Sequence, residues 1–89
     1  MTDKVANMTG SRGNKIANQF IIYTDNGSIF QSYASTIVKI DSGKTYLDES
    51  KWNYSNTTSK YRNIFLNETI KDTRKKIKNG EYILTDLNK

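Results

Sequence analysis

Residues 19–33, QFIIYTDNGSIFQSY, decide the fold, because two runs of β-branched and aromatic residues flank the polar tetrapeptide DNGS at 25–28. Runs of this composition are typical of β-strands. The Asn-Gly pair between them favours a two-residue type I′ turn, in which both central positions need positive φ. The sequence therefore predicts a β-hairpin with Asn26-Gly27 at its tip.

A turn at Asn26-Gly27 also predicts a register, in which Tyr23 lies opposite Phe30 and Ile22 lies opposite Gln31. Side chains alternate between the two faces of a strand, so Ile21, Tyr23 and Phe30 share one face. The opposite face holds Phe20, Ile22, Ile29 and Tyr33. We expect helices to pack on one face, while the other is covered by the N-terminal segment or a partner, or exposes its aromatic rings.

A second hairpin is predicted between residues 36–40 and 45–48, with Ser42-Gly43 as its loop. This loop places Val38 opposite Leu47 and Lys39 opposite Tyr46. Val38, Ile40 and Leu47 then form the face that points into the core.

Two short helices and a closing strand are predicted after the hairpins. The first helix covers about 57–66, with hydroxyls at 55–57 as N-caps and Tyr61, Ile64 and Phe65 at helical spacing. The second covers about 69–79 and is followed by Gly80 as a C′ residue. Its buried stripe is formed by Ile70, Thr73 and Ile77. Residues 81–85 read as a strand that closes the sheet.

The N-terminal segment differs from the rest of the chain. Residues 1–16 carry two glycines, few large apolar side chains and the basic residues Lys4, Arg12 and Lys15, which predicts a flexible basic arm. Residues 17–89 then form a single small domain. The predicted fold class is α+β: an antiparallel meander of two β-hairpins, two short helices on one face and a C-terminal closing strand.

The composition excludes several classes of function and indicates few. The chain has no Cys and no His, which removes thiol chemistry, Ser-His-Asp triads and His-ligated zinc. The acids are scattered, and the adjacent pair Asp48-Glu49 points to opposite sides of a strand. We therefore predict a protein that is not an enzyme and that uses no cofactor and no metal. No apolar run reaches the length of a signal peptide or membrane span, so we expect no membrane partner and a cytoplasmic location in a bacterial cell.

Positive charge is the strongest functional indication. The chain holds 14 Lys and Arg against 9 Asp and Glu, and residues 60–78 contain seven of those cations and only two acids. In the second predicted helix, Lys71, Lys75 and Lys78 recur at i, i+4 and i+7, with Arg74 beside them. Such a face can neutralise phosphates, although a cationic helix exterior near a C-terminus is also favourable without any ligand. Outside this helix, the candidate nucleic-acid contacts are Arg12, Lys15, Lys60 and Arg62.

Aromatic residues suggest a second kind of contact. Tyr23 and Phe30 share a face of the first hairpin, as in a platform on which unpaired bases stack. The alternative is that most rings form the core, since the chain has no Leu before position 47 and must fill its interior with Ile and aromatic residues.

Several short motifs resemble one family. They are ANQF at 17–20, FQSY at 30–33, Leu47-Asp48, WxYSxTTxKY at 52–61 and Phe65-Leu66. Over residues 9–66 the chain resembles small proteins of unknown function encoded by phages and plasmids of low-GC Gram-positive bacteria. The resemblance implies a mobile-element accessory protein whose targets are nucleic acid or host machinery. Abundant Asn, Lys, Ile and Tyr, all with A/T-rich codons, agree with such an origin.

Three functional hypotheses follow. The first is a small basic phage or mobile-element protein that binds DNA or RNA through the cationic helix. The second is a protein-protein inhibitor of a host enzyme or defence complex, resembling an anti-CRISPR in role, with Tyr23 and Phe30 as anchors. The third is capture of a nucleotide signal by Arg12-Gly13 and a hydroxyl-rich surface. That surface would be formed by Gln31, Ser32, Tyr54, Thr57, Thr58 and Lys60.

Overall fold

The computed structural model describes residues 4–10 and 12–88, which form six strands and two helices. The strands are β1 (Lys4–Thr9), β2 (Lys15–Thr24), β3 (Gly27–Ser32), β4 (Ser35–Asp41), β5 (Lys44–Asp48) and β6 (Tyr82–Thr85), and the helices are α1 (Asn56–Leu66) and α2 (Ile70–Lys78). All six strands belong to one sheet in the order β1-β2-β3-β4-β5-β6. The α+β class, the two helices and the closing strand are confirmed.

The sheet is mixed rather than purely antiparallel. Strands β1 to β5 pair as antiparallel neighbours, whereas β6 pairs with β5 in parallel. The two helices lie between β5 and β6 in the chain, and they provide the long crossover that parallel pairing of these two strands requires. The prediction of an all-antiparallel meander is corrected on this point.

Strand β1 corrects the prediction of a flexible arm over residues 1–16. Residues 4–9 pair with β2, with Lys4 opposite Tyr23 and Asn7 opposite Phe20. Met8 is buried and belongs to the core. The segment has few large apolar residues because it is an edge strand, which buries only one part of its length. Residues 1–3 of the predicted arm, and Ser11 within it, lie outside the described residues.

The first hairpin forms with its turn one residue before the predicted one, which shifts the pairing of the two strands by two residues. Thr24 pairs with Gly27 and Ile21 pairs with Phe30, so Asp25 and Asn26 occupy the turn. Gly27 instead lies in β3 without a positive φ, where an added Cβ would sit 1.9 Å from the carbonyl oxygen of Ile40. Close approach of β4, not turn geometry, is what requires glycine there. A shift of two residues leaves each side chain on its predicted face.

The second hairpin agrees with the prediction residue by residue. Val38 pairs with Leu47 and Lys39 pairs with Tyr46. Ser42 and Gly43 have φ values of 52° and 83°, the positive signs that a type I′ turn needs at both central positions.

The core lies between the sheet and the two helices. Its fully enclosed members are Met8, Phe30, Ile37, Val38 and Leu47. Ile37 and Val38 are consecutive yet both buried, because the register shifts at this point and a β-bulge turns both side chains inward. The ring of Phe30 stacks on Phe65 of α1, with 5.6 Å between centroids.

Both helices begin and end close to the predicted positions. Ser55 caps α1 by accepting a hydrogen bond from the Thr58 backbone N–H at 3.1 Å. Thr69 caps α2 in a capping box with Asp72, and Gly80 follows α2 with a φ of 87°. One face assignment is wrong: Ile64 is 56% exposed, and the inward face of α1 is formed by Thr58, Arg62 and Phe65.

Candidate nucleic-acid interface

Helix α2 presents a continuous cationic surface, the α2 cationic face, formed by Lys71, Arg74, Lys75 and Lys78. All four residues are exposed. With about 3.6 residues per turn, the four side chains fall within an arc of about 100°. Thr73 is buried and Ile77 packs on the core, so the opposite side of the helix holds it against β6 and turns the cationic face to solvent.

Within the part of the chain that the structure describes, these four cations have no carboxylate partner. In the described residues 4–10 and 12–88, the single ion pair joins Lys76 Nζ to Glu68 Oε1 at 2.8 Å. Lys76 lies on the other flank of α2, next to β6. The cations of the α2 cationic face therefore keep their charge available for an anionic partner.

Glu68 is the centre of a hydrogen-bond network that fixes α2 to β6. Its Oε1 accepts from Lys76 Nζ at 2.8 Å and from the Tyr82 hydroxyl at 2.6 Å, and its Oε2 accepts from Thr73 Oγ1 at 2.6 Å. The network positions the helix that carries the α2 cationic face.

The network shifts the pKa values of its members. Burial acts to raise the pKa of Glu68, but the hydrogen bonds from Lys76, Thr73 and Tyr82 outweigh it and lower that pKa below its ordinary value. The hydrogen bond to Glu68 raises the pKa of Lys76 to about 12. Burial, reinforced by the same carboxylate, raises the pKa of Tyr82 to about 12. All three groups hold their charge state through the neutral range.

A second basic surface lies between the β1–β2 turn and α1. This α1 groove has a volume of about 520 Å³. It is lined by Thr9, Gly10, Arg12, Asn14, Ile16, Lys60, Tyr61 and Ile64. The structure thus brings Arg12 and Lys60, 48 positions apart in the sequence, to one site. Lys15 is exposed at the start of β2, opposite Thr9, and does not line the groove.

Arg62 does not belong to either basic surface, which corrects its prediction as a nucleic-acid contact. Its side chain is fully buried. One terminal nitrogen donates to the Trp52 carbonyl and to Asn53 Oδ1, the other donates to Asn63 Oδ1, and the guanidinium lies 5.2 Å from the Trp52 ring centroid. Burial lowers the pKa of Arg62; Glu68 acts in the opposite direction. Arg62 is a structural cation that ties α1 to the preceding turn.

Phe30 is also removed from the predicted contacts. It is fully buried against Phe65, so neither a base nor a protein partner can reach its ring in this fold. Tyr23, in contrast, is 50% exposed near the end of β2, where it pairs with Ser28. The expected pair of exposed rings is therefore reduced to one.

The predicted surface of polar residues is divided between the interior and solvent. Ser32 and Thr58 are fully buried, and their hydroxyl oxygens lie 3.0 Å apart in a hydrogen bond between β3 and α1. They hold the helix on the sheet and cannot reach a ligand. Gln31 donates from its side chain to the Tyr33 carbonyl at 2.8 Å on the other side of β3.

The face of the sheet opposite the helices forms a further surface, the outer sheet face. Strand pairing aligns one row of residues across all six strands: Val5, Ile22, Ile29, Lys39, Tyr46 and Ile83. The two ends of the row are open, with Val5 64% and Ile83 41% exposed. Five of the six residues are apolar or aromatic, which is more than a surface without a partner needs.

Sequence reasoning missed the α1 groove as a part of the candidate site. The helical spacing placed Tyr61 and Ile64 in the core; Tyr61 does pack on the core while it lines the groove, but Ile64 is exposed. The orientation of α1 exposes Ile64, because a different side of the helix faces inward. The only feature of the sequence that could have indicated this orientation is Arg62, which lies on the inward side.

No helix among residues 4–10 and 12–88 is long and apolar enough to cross a membrane. The described side chains also contain no group of three or more His, Asp or Glu able to hold a metal ion.

Fold and surface together define a small basic α+β domain with a six-stranded mixed sheet and one cationic helix. A family model matches residues 4–82, and the chain belongs to that family, a family of unknown function designated DUF8033. The match covers strands β1 to β5, both helices and the first residue of β6. No curated protein and no solved structure matches the chain.

Proposed function

We propose that this protein is a non-enzymatic accessory protein of a phage or other mobile element, and that it binds nucleic acid through the α2 cationic face. The observation that carries the proposal is the set of four exposed cations on one side of α2, none of them in an ion pair within the described residues. The composition rich in Asn, Lys, Ile and Tyr supports the mobile-element origin in an A/T-rich, Gram-positive host, with the bacterial cytoplasm as the place of action.

The geometry of α2 suits a phosphate backbone. A rise of about 1.5 Å per residue separates Lys71 from Lys78 by about 10 Å, a distance that covers about three phosphates along one strand. Contacts of this kind recognise charge and not sequence. If all four cations engage duplex DNA, the logarithm of the binding constant should fall with the logarithm of salt concentration with a slope of about −3.6.

The test is a titration of labelled single- and double-stranded oligonucleotides, followed by anisotropy at about 50 and 200 mM salt. The triple variant Lys71→Glu, Lys75→Glu, Lys78→Glu should lose binding at the lower salt. The matched control reverses three lysines on strands, Lys4, Lys39 and Lys44, and changes the net charge equally. Circular dichroism checks that both proteins fold. Equal loss in both triple variants would reduce the effect to net charge, and retained affinity in the α2 variant would refute this proposal.

A second candidate function is inhibition of a host enzyme or defence complex by protein-protein contact. The outer sheet face favours it, because a row with apolar or aromatic side chains on five of its six strands offers the kind of surface that interface cores use. Capture of a stoichiometric host protein after nuclease treatment would support this function. The double variant Val5→Glu, Ile83→Glu should abolish that capture, while the α2 triple variant should retain it.

A further inference from the structure

We propose that the α1 groove binds one unpaired nucleotide, with its phosphate between Arg12 and Lys60 and its base against the apolar wall formed by Ile16, Tyr61 and Ile64. This site is separate from the α2 cationic face, and it goes beyond a sequence-indifferent contact with phosphates. The proposal does not depend on whether α2 binds nucleic acid.

The charge of the groove selects an anion. Arg12 and Lys60 are both exposed, and none of the eight lining residues is acidic. Each of the two cations comes from a different element, the β1–β2 turn and α1, so they approach a ligand from two sides. A phosphate between them would accept charge-assisted hydrogen bonds from both.

The turn that carries Arg12 is held in place by the backbone. Gly10 donates its N–H to the Asn14 carbonyl at 2.8 Å, and Gly13 donates to the Gly10 carbonyl at 2.9 Å. A Cβ at Gly10 would lie 2.9 Å from Asn14 Oδ1 and 3.2 Å from Ile16 Cδ1, so this rim of the groove is tightly packed. Arg12 therefore projects from a closed turn, which reduces the entropy lost on binding.

The apolar wall selects a flat, partly apolar group next to the anion. Ile64 is 56% exposed on a helix whose other large apolar residues, Phe65 and Leu66, pack on the core. Lys60 and Ile64 stand one turn apart on the same side of α1. Lys60 Nζ lies 5.4 Å from the Tyr61 ring centroid, so the cation, the ring and the aliphatic wall are adjacent.

The size of the groove fits a small ligand. A volume of about 520 Å³ lies within the range of about 300–1,000 Å³ that small-molecule sites occupy. A nucleotide combines the anion and the flat base that the two sides of the groove require. A base inside a duplex cannot leave its stack without cost, so the groove should prefer unpaired nucleotides.

The experiment titrates ¹⁵N-labelled protein with dAMP, inorganic phosphate, the single strand dA5 and a blunt duplex, and follows amide shifts. We expect dAMP to shift the amides of Gly10 and residues 60–64, and inorganic phosphate to bind at least ten times more weakly. Tighter binding of dA5 than of dAMP would identify a strand as the source of the nucleotide, and equal binding would identify a free nucleotide. The duplex should leave these amides unshifted.

Variants separate this site from α2. Arg12→Gln with Lys60→Gln should weaken dAMP binding at least tenfold, and Ile64→Ser should weaken dAMP binding but leave phosphate binding unchanged. The matched double variant Lys71→Gln, Lys75→Gln should retain dAMP affinity. Phosphate binding as tight as dAMP, an unaltered affinity in the Arg12 and Lys60 variant, or no groove shifts at millimolar dAMP would overturn the proposal. None of these outcomes bears on the α2 cationic face, which the oligonucleotide titration tests.

Discussion

Helices α1 and α2 lie on the same side of the sheet and are close in sequence, yet they place their arginines in opposite environments. Arg62 of α1 is fully buried, with carbonyl and amide oxygens around its terminal nitrogens and the Trp52 ring beside it. Arg74 of α2 is exposed and flanked by the lysines of the α2 cationic face. The difference arises because Arg62 points towards the polar turn before α1, at Trp52 and Asn53, whereas Arg74 lies on the side of α2 that faces away from β6.

The number of cations in a segment of sequence therefore differs from the number that the fold leaves exposed and unpaired on one surface. Seven cations between residues 60 and 78 suggest one continuous basic region. In the fold, Arg62 is internal, Lys76 is paired with Glu68, and Lys60 belongs to the α1 groove. Only the remaining four cations form the α2 cationic face. Packing, and not the density of charge along the sequence, therefore decides which cations are exposed together.

The largest expected effect concerns how firmly each helix is seated. Phe30 is fully buried under α1, and Phe30→Ala should lower the free energy of unfolding by about 3–5 kcal/mol, as is usual for a large buried aromatic residue. Ile77 of α2 is only partly buried, and Ile77→Ala should cost about 1–2 kcal/mol. Urea denaturation measures both. A larger loss for Ile77→Ala would reverse the comparison of the two helices.

The two arginines give the next test. Arg62→Ala leaves the Trp52 carbonyl and neighbouring side-chain oxygens without their donor, and we expect a loss of about 3 kcal/mol in the free energy of unfolding. Arg74→Ala is the matched control and should change it by less than about 0.5 kcal/mol. Chemical denaturation of the two variants in one buffer makes the comparison direct. Similar values for both would contradict the buried role of Arg62.

Glu68 provides a pH test of the network between α2 and β6. Its pKa is lowered in the folded state, so its contribution to stability is present above the ordinary carboxyl pKa and is lost as pH falls through the folded value. Glu68→Gln should cost about 1–2 kcal/mol at pH 7. Melting curves from pH 7 down to 3 should show the wild type and variant converging. A difference that stays constant with pH would exclude the carboxylate as its source.

Tyr82→Phe should have the smallest effect on the free energy of unfolding, but a clear effect on the ultraviolet titration of the tyrosines. Burial and Glu68 raise its pKa to about 12, so its contribution is complete below the ordinary tyrosine pKa and is lost as pH rises through about 12. Ultraviolet titration should show a late step from Tyr82, and Tyr82→Phe should remove that late step at a cost of about 1 kcal/mol. A late step that survives in Tyr82→Phe belongs to another ring.

Local chemistry made part of the fold predictable. The second hairpin, with Ser42-Gly43 at its turn, and both helix starts, at Ser55 and Thr69, follow from conformational preferences and hydrogen bonds within a few residues. The tip of the first hairpin did not, because the backbone of β4 lies against Gly27 and takes the glycine into the strand. A long-range contact thus outweighed the stronger local turn motif.

The candidate site divides in the same way. The four cations of the α2 cationic face could be found from sequence, since helical spacing alone places Lys71, Lys75 and Lys78 on one side. The α1 groove could not, because it joins Arg12 to Lys60 only after β1 pairs with β2 and α1 packs on β3. Tyr23 and Phe30 were correctly assigned to one face, but the cover that α1 provides for Phe30 is a tertiary fact.

The sequence by itself determined the α+β class, the hairpin of β4 and β5, the limits of both helices and the cationic side of α2, because each depends on periodicity or on neighbours within one turn. Tertiary structure decided the strand β1, the parallel pairing of β6, the burial of Arg62 and the formation of the α1 groove. Each of these depends on contacts between residues that are far apart in the sequence. The free energy of those contacts comes from packing, which no local pattern encodes.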